Sequence, residues 1–122
     1  MADPKSPEIE VRNGVTVIQL GPDYDNLSDH LLDALQVVLL ECGRKADPPK
    51  VVIDLSHTVF FGSAFLEILL KMWKELSERE GNAFALSGLS DNCAEVLQVT
   101  QLDSLWKIYK THEEAEKALA TV

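Results

Sequence analysis

A short run of apolar residues interrupted by a single acid, Val51-Val52-Ile53-Asp54-Leu55, constrains the fold of this chain more than any other segment. A run that is apolar almost throughout is typical of a strand that is covered on both faces or packed hard on one. Helical patterns precede and follow it, and strands separated by helices of this length join through right-handed crossovers into a largely parallel sheet. The segment therefore predicts an α/β layer protein with this strand near its centre.

The patterns on either side supply the other elements. Ile9 to Leu20 is predicted to form two strands joined at Asn13-Gly14, a strong signal for a two-residue hairpin. Apolar residues at helical spacing predict four helices, and two short apolar runs predict further strands. The helices are expected from Asp25 or Asn26 to about Cys42, from Ala64 to about Glu80, from Asp91 to about Leu102 and from His112 to Ala120, and the strands at 83–86 and 105–109. The resulting order is β-β-α-β-α-β-α-β-α.

Length, charge and hydropathy indicate one soluble domain. A chain of 122 residues can bury a real core without metal or disulfide staples, and we expect a disordered lead at 1–8 and a single domain at 9–122. The formal charge of −9 argues against binding nucleic acid or docking on anionic lipid. No apolar stretch approaches the roughly 20 residues that span a bilayer, and the start lacks a signal-peptide layout. We expect a cytoplasmic module with protein partners and no direct membrane insertion, and self-association is left open.

The spacing of cysteine, histidine and glycine predicts neither a metal site nor a cofactor. Cys42 and Cys93 lie far apart in helical patterns, and two reduced thiols are expected without an export signal. The chain contains no C-x-x-C or H-x-x-x-H spacing and no phosphate-cradling glycine loop. Nucleotide hydrolysis by this chain is therefore not expected.

An enzymatic interpretation rests on one coincidence. Asp54, His57 and Ser63 fall within ten residues, as the members of a nucleophilic triad could. No Gly-x-Ser-x-Gly elbow surrounds the serine, and a surface histidine with a helix cap explains the same residues more simply. We therefore expect a protein that is not an enzyme.

Ser63 admits two interpretations because it opens an amphipathic helix. A hydroxyl at this position usually caps free backbone N–H groups. A helix N-terminus also favours an added phosphate, which would place about −1.5 to −2 charge on a small apolar surface at Gly62, Ala64 and Phe65. A partner that touches this surface would then meet repulsion and a buried charge. One modification could thus switch binding.

The whole pattern resembles the STAS domain, the family of anti-sigma factor antagonists and of sulphate-transporter tails. The likeness is carried by Val-Val-Ile-Asp-Leu-Ser, two aromatics and a serine that starts a leucine-rich helix. It extends over about 9–119 and includes the late Ile108-Tyr109 and the closing Glu113-Glu114-Ala115-Glu116-Lys117-Ala118-Leu119. The resemblance implies a mixed, largely parallel sheet of four or five strands, with about four helices packed mainly on one side.

The resemblance also implies a function in bacterial transcription regulation. A partner serine kinase that is also an anti-sigma factor would bind the chain and phosphorylate Ser63, and a phosphatase would reverse the modification. The ATP belongs to that partner. The residues expected to form the docking surface are His57, Thr58, Gly62, Ala64 and Phe65, with Asp23 and Asp25 in the turn after the first hairpin.

Two positions differ from the usual family pattern and favour an alternative. The family has Asp before the serine and Gly two residues after it, whereas this chain has Gly62 and Phe65, the latter expected to be exposed or half-buried. The alternative is a constitutive module without a phosphoswitch, as in signalling scaffolds or the small STAS subunits of lipid-transport ATPases.

Overall fold

The computed structural model describes residues 7–21, 24 and 29–121, with the side chains of residues 29 and 30 excepted. The chain forms five strands and four α-helices in these ranges. The strands are β1 (Glu8–Arg12), β2 (Val15–Gln19), β3 (Lys50–Asp54), β4 (Ala83–Ser87) and β5 (Lys107–Tyr109). The helices are α1 (Asp29–Lys45), α2 (Ser63–Ser77), α3 (Asp91–Val99) and α4 (His112–Ala120), with a 3-10 turn at Leu102–Ser104.

The five strands form one sheet in the order β1-β2-β3-β4-β5. β1 runs antiparallel to β2, and the other neighbours are parallel. The predicted hairpin is confirmed: Asn13 and Gly14 both adopt positive φ, 53° and 79°, as a type I′ turn requires. The predicted mixed, largely parallel α/β sheet is therefore confirmed.

Helices cover both faces of the sheet, which explains why β3 is apolar almost throughout. On one face, Ile18, Val51 and Ile53 pack with side chains of α1, α2 and α3 in the larger core. On the other face, a smaller cluster joins sheet residues to α4, namely Val15, Val17, Val52, Ala85, Ala115 and Leu119. Three helices thus lie on one side and α4 on the other, which agrees with helices packed mainly on one side.

Several element boundaries differ from the sequence-based prediction. α1 begins at Asp29, and the expected cap at Asp25 or Asn26 lies outside the described residues. α3 ends at Val99 because the chain turns at Gln101, which has a left-handed φ of 63°, into the 3-10 turn. β1 begins at Glu8, inside the predicted disordered lead, and Pro7 is buried. Within the described ranges, no helix combines the length and apolar character needed to cross a membrane.

Candidate functional site

The carboxyl ends of β3 and β4 meet at a buried carboxylate that fixes the start of the loop leading to Ser63. Asp54 is almost fully buried and accepts hydrogen bonds from the hydroxyls of Ser56, at 2.7 Å, and Ser87, at 2.9 Å. Gly88 lies so close that a Cβ there would stand 2.9 Å from Asp54 Oδ1, and its φ is +70°. Two hydroxyl donors and a close backbone thus hold the end of β3 in one position.

The same loop is tied to α3 and to the turn after β2. Ser90 Oγ donates to the Val59 carbonyl at 2.9 Å, and it accepts a hydrogen bond from Cys93 N at the N-terminus of α3. On the other side, Thr58 Oγ1 donates to the Tyr24 carbonyl at 2.9 Å. These bonds fix the backbone at Thr58 and Val59 just ahead of α2. The chain therefore presents a supported loop, rather than a free one, at the carboxyl edge of the sheet.

Ser63 is an exposed residue in the first turn of α2, and the interpretation that it caps this helix is wrong. Gly62 occupies the N-cap position, and the described residues give α2 no side-chain cap hydrogen bond. α3 and α4 differ in this respect, because Ser90 accepts from Cys93 N and Thr111 accepts from Glu114 N. The Ser63 hydroxyl is therefore not committed to the helix backbone.

The positive end of the α2 dipole is also not offset by an acidic side chain in the first turn of the helix. The first backbone hydrogen bond of the helix runs from Leu66 N to Gly62 O at 3.3 Å. The N–H groups of the preceding residues carry the positive end of the helix dipole toward this surface. Gly62 is extended, with φ −110° and ψ −170°, and a Cβ there would meet no atom within 4 Å. Nothing in the described structure requires glycine at that position.

Two side chains that were expected on the docking surface are buried instead. Phe65 is 0% exposed and packs on Phe61, with ring centroids 5.1 Å apart. The expectation of an exposed or half-buried ring at Phe65 is therefore wrong. Thr58 is 2% exposed because its hydroxyl is turned inward to the Tyr24 carbonyl. Neither side chain can meet a partner in this conformation.

The expectation for Phe65 is wrong because the sequence pattern predicts a different buried face for α2 from the one that the structure shows. In the sequence, leucine and tryptophan recur at helical spacing and predict a buried stripe of Leu66, Leu69, Leu70, Trp73 and Leu76. In the structure, Leu70 and Trp73 are only partly buried. The side chains buried in α2 are Phe65, Leu66, Ile68, Leu69, Met72 and Leu76. The centre of this face is rotated from the predicted stripe, and the rotation carries Phe65 into the core.

Two apolar residues that the sequence interpretation did not single out are exposed next to Ser63 in place of Thr58 and Phe65. Val59 is 57% exposed and Phe60 is 48% exposed, directly before buried Phe61. The signal was present in the sequence, since one of two adjacent aromatics in an extended segment must point away from the core. We define the Ser63 surface as His57, Val59, Phe60, Gly62, Ser63 and Ala64. All of these residues are exposed except Gly62, which is half-buried.

Asp23 and Asp25 lie outside the described residues. Tyr24 between them is described, is buried, and accepts the hydrogen bond of Thr58 through its carbonyl. The backbone between the two acids therefore contacts the loop that precedes Ser63. The partner-binding role of Asp23 and Asp25 stays a prediction.

The residues of the supposed triad are not assembled. The hydrogen bonds that Asp54 accepts come from Ser56 and Ser87, and none of the described bonds joins it to His57 or links His57 to Ser63. His57 is exposed on the loop. The geometry thus offers no base that is oriented toward the Ser63 hydroxyl within the described part of the chain.

One group of potential metal ligands lies at the start of α4 and includes no residue of the Ser63 surface. Atoms of His112, Glu113 and Glu116 lie within 4.8 Å of one another, with His112 Nδ1 2.9 Å from Glu116 Oε2. Arg12 Nη1 lies 3.5 Å from the other oxygen of Glu116. A guanidinium beside the buried carboxylate and the positive end of α4 both disfavour a bound cation. We interpret the group as an ion-paired network that fixes α4 on the sheet.

The two cysteines are free thiols whose surroundings disfavour the thiolate form. Burial raises the pKa of Cys93, and burial together with the neighbouring Glu41 carboxylate raises the pKa of Cys42. A raised pKa lowers the fraction of thiolate, which is the reactive form. Neither thiol has the electropositive surroundings of a catalytic cysteine.

Comparison with known proteins agrees with this architecture. A protein-family model of the STAS domain matches residues 6–115 of the chain. An anti-sigma-factor antagonist (STAS) domain protein from Planctomyces limnophilus is 36% identical, with a TM-score of 0.90 over 95% of this chain and 99% of that one.

Two structures of SpoIIAA share the fold at lower identity. The anti-sigma factor antagonist SpoIIAA in its unphosphorylated form is 19% identical, with a TM-score of 0.78 over 96% of this chain and 98% of that one. The Bacillus cell fate determinant SpoIIAA in the phosphorylated form is also 19% identical, with a TM-score of 0.70 over 93% of this chain and 99% of that one. At this identity the likeness is one of fold.

Proposed function

Because the chain belongs to the STAS domain family, we propose that it is a bacterial anti-sigma factor antagonist that binds a partner serine kinase and is switched by phosphorylation of Ser63. The kinase is itself the anti-sigma factor, so binding the antagonist frees the sigma factor that it holds. Phosphorylation of Ser63 dissociates the complex, and a phosphatase restores the binding form. This chain is then a substrate and a ligand rather than an enzyme, and it acts in the cytoplasm with its partners.

The observation that carries the proposal is the state of the Ser63 hydroxyl. It is exposed in the first turn of α2 and makes no cap bond there, whereas Ser90 and Thr111 are committed to their helices. A kinase can approach Ser63 without first breaking a backbone hydrogen bond. The likeness to SpoIIAA, a protein of the same fold that is known in unphosphorylated and phosphorylated forms, supports the same assignment.

The transfer needs only a positioned hydroxyl from this chain. Ser63 Oγ attacks the γ-phosphorus of ATP held by the partner, the bond to the bridging oxygen breaks, and ADP leaves. The hydroxyl proton passes to a base on the kinase. The product phosphate lies at the positive end of α2, where it gains about 0.3–1 kcal/mol of favourable interaction if exposed.

Loss of binding follows from what surrounds the new phosphate. Val59, Phe60 and Ala64 are apolar and exposed, so a partner that covers the Ser63 surface removes water from it. A dianionic phosphate enclosed by that contact would lose its hydration, which is costly unless a cation pairs with it. The complex with unmodified Ser63 is therefore stable, and the complex with phosphoserine is not.

Within this surface, Phe60 is the side chain best suited to anchor the partner. Aromatic side chains bury a large apolar area and dominate many protein interfaces. His57, Gly62 and Ala64 would line the contact around it, and Asp23 and Asp25 would extend it from the turn after β2. Thr58 supports the loop from within through its bond to the Tyr24 carbonyl.

A constitutive scaffold is the second candidate, and Gly62 favours it. A kinase that reads an acid beside the acceptor serine finds no carboxylate at this position. In that case the same apolar surface would bind a partner permanently, for instance in a signalling or lipid-transport ATPase complex.

A capture experiment with three baits distinguishes these functions. Wild type, Ser63→Ala and Ser63→Asp are immobilised, native lysate is passed over each, and the captured proteins are identified by mass spectrometry. A serine kinase held by wild type and Ser63→Ala but lost from Ser63→Asp supports the switch. The same protein on all three baits contradicts the switch and supports the scaffold.

A matched control separates the surface from the rest of the molecule. Val99→Asp adds the same charge at a side chain that is 76% exposed on α3, outside the Ser63 surface. This variant should retain the kinase. If Val99→Asp also loses it, the effect of Ser63→Asp reflects overall charge rather than the position of Ser63.

A further inference from the structure

The outer edge of β1 is open and carries two exposed apolar side chains. In the described part of the chain β1 pairs with β2 alone, so one of its edges has no partner strand. Ile9 is 45% exposed and Val11 is 65% exposed. They lie opposite Ile18 and Thr16 of β2, on the face of the sheet that α1 covers. An open edge with apolar side chains is a template for pairing with another strand.

A groove lies between this strand and α1. Its volume is about 550 Å³, and its walls include Ile9 and Val11 on the sheet side and Val38, Cys42 and Ala46 on the helix side. Ile9 and Val11 line this groove and are still 45% and 65% exposed, so α1 does not cover them fully. The groove lies beside the larger core, at the edge of the sheet, and is open to solvent.

The hairpin register determines which backbone groups face outward. Arg12 pairs with Val15 across the two-residue turn, and Glu10 pairs with Val17. In an antiparallel pair, residues that exchange hydrogen bonds alternate with residues that do not, and the residues flanking a two-residue turn do exchange them. Ile9 and Val11 therefore direct their N–H and C=O groups away from β2. These free groups lie on the same residues that line the groove.

We propose that a second copy of this chain pairs antiparallel along β1, across a two-fold axis at Glu10, and forms a continuous sheet through both molecules. Ile9 of each copy then lies opposite Val11 of the other, and each such pair exchanges both backbone hydrogen bonds. Apolar side chains from both copies meet at the mouths of the two grooves. The contact is isologous, as a two-fold axis requires.

Charge complementarity supports a second copy in this register. Glu8 of each molecule lies opposite Arg12 of the other, on the face that α4 covers, so each cross-strand pair joins opposite charges. Glu10 meets its own counterpart at the axis, and its charge is offset by Arg12 Nε of the same molecule, 2.7 Å away. The remaining charges around the groove are Glu41, paired with Lys45 at 2.8 Å, and Asp47.

The alternative register, centred on Val11, forms fewer backbone hydrogen bonds between the two copies. It also places Glu10 opposite Arg12, but it sets Ile9 against Asn13, whose φ of 53° belongs to the turn. That residue cannot continue an extended ladder, so one outward-facing pair is lost on each side of the axis. The axis at Glu10 uses both outward-facing residues of each strand.

Cysteine cross-linking tests the interface and its register together. In a Cys42→Ser background, Glu10→Cys places two thiols at the axis in a non-hydrogen-bonded pair, where Cα atoms lie about 4.5 Å apart and a disulfide can form. Glu8→Cys and Val99→Cys are matched controls, since neither residue meets its own copy in this register. Under mild oxidation, most Glu10→Cys should become covalent dimer on non-reducing gels while both controls stay largely monomeric.

Sedimentation velocity over a range of concentrations gives the independent measurement. Wild type should shift from monomer toward dimer as concentration rises, Val11→Lys should stay monomeric, and Val99→Lys should behave as wild type. Circular dichroism checks that the variants fold. A monomeric wild type, or cross-linking at Val11→Cys in place of Glu10→Cys, would overturn the proposal.

The outcome does not depend on the role of Ser63. β1 is separated from β3 by β2, and the residues of the Ser63 surface do not line the groove. A protein that dimerises through β1 without binding a kinase supports this inference and contradicts the proposed function. A monomeric chain that binds a kinase contradicts this inference and supports the proposed function.

Discussion

At the scale of single residues, three hydroxyl side chains at described helix N-termini differ in what they bond. Ser90 and Thr111 accept a backbone N–H three residues on, as a cap does. Ser63 lies one position further into its helix, because Gly62 takes the N-cap position, and it makes no such bond in the described structure. A shift of one residue thus leaves a hydroxyl free for chemistry with a partner.

Gly62→Asp should stabilise the protein and improve it as a kinase substrate. The position is extended and open, so the side chain fits, and its carboxylate can cap α2 and interact with the helix dipole. We expect the free energy of unfolding in urea to rise by a few tenths to about 1 kcal/mol. Gly62→Asn supplies the cap without the charge, so faster phosphorylation of the Asp variant alone would show that the kinase reads the carboxylate.

The pair Phe60 and Phe65 should separate binding from stability. Phe65→Ala empties a fully buried site and should cost about 3–5 kcal/mol of unfolding free energy. Phe60→Ala removes a half-exposed ring and should change the unfolding free energy by no more than about 0.5 kcal/mol. Phe60→Ala should nevertheless weaken kinase binding strongly, as titration calorimetry would show. Binding unaffected by Phe60→Ala would remove Phe60 from the docking surface.

The two thiols should react slowly with iodoacetamide at neutral pH. Burial raises the pKa of both Cys42 and Cys93, and Glu41 adds to the effect at Cys42. Because only the thiolate reacts, each rate should be lower than that of free cysteine at pH 7 and should increase as the pH rises. Peptide mapping of alkylation against pH measures this directly. Rapid labelling of either thiol at pH 7 would contradict the burial described above.

At the scale of elements, the loop before α2 is held by the cap of α3. One hydroxyl, that of Ser90, closes the N-terminus of α3 and also donates to the Val59 carbonyl. Cys93, also in the first turn of α3, brings its Sγ within 3.7 Å of the same carbonyl. The exposed side chains of Val59 and Phe60 are thus positioned by the element that follows β4.

Ser90→Ala should therefore affect both stability and binding. Loss of the cap should cost about 0.5–2 kcal/mol of unfolding free energy, and the freed loop should weaken the complex with the kinase. Thr111→Ala removes the equivalent cap from α4, which packs on the opposite face of the sheet from α2 and α3, and should lower stability without changing affinity. Equal affinities for both variants would argue that the Ser90 bond does not position the loop.

Element order could be predicted from the sequence, whereas element ends and the phase of α2 could not. The hairpin was identifiable because Asn13-Gly14 suits positive φ at both positions. α2 contains apolar residues on more than half its circumference, so several stripes fit the same periodicity. The spacing Phe65, Leu69, Met72 and Leu76 was equally available, and only packing against the sheet selects it.

At the scale of the whole molecule, helices cover both faces of the sheet, and the exposed Ser63 surface follows the carboxyl end of the central strand. β3 is apolar because helices pack on both of its faces, and this apolar run is the feature of the sequence that predicted the fold. The sequence also located Ser63 at the start of a helix. It could not establish that the hydroxyl is exposed and uncapped, since that depends on where the backbone of Gly62 enters α2.

The acidic surface limits which partners the molecule can bind. A formal charge of −9 disfavours polyanions and leaves the apolar Ser63 surface as a distinct contact region.

The central claim is that one phosphate on Ser63 separates this protein from its kinase. The direct measurement is calorimetric titration of the captured kinase with unmodified protein and with protein that the kinase has phosphorylated, the site being mapped by peptide mass spectrometry. We predict a single phosphoryl group on Ser63, none on Ser63→Ala, and a loss of affinity of at least about tenfold, or 1.4 kcal/mol, on modification. Equal affinities for the two forms, or a phosphate on another residue, would contradict the account.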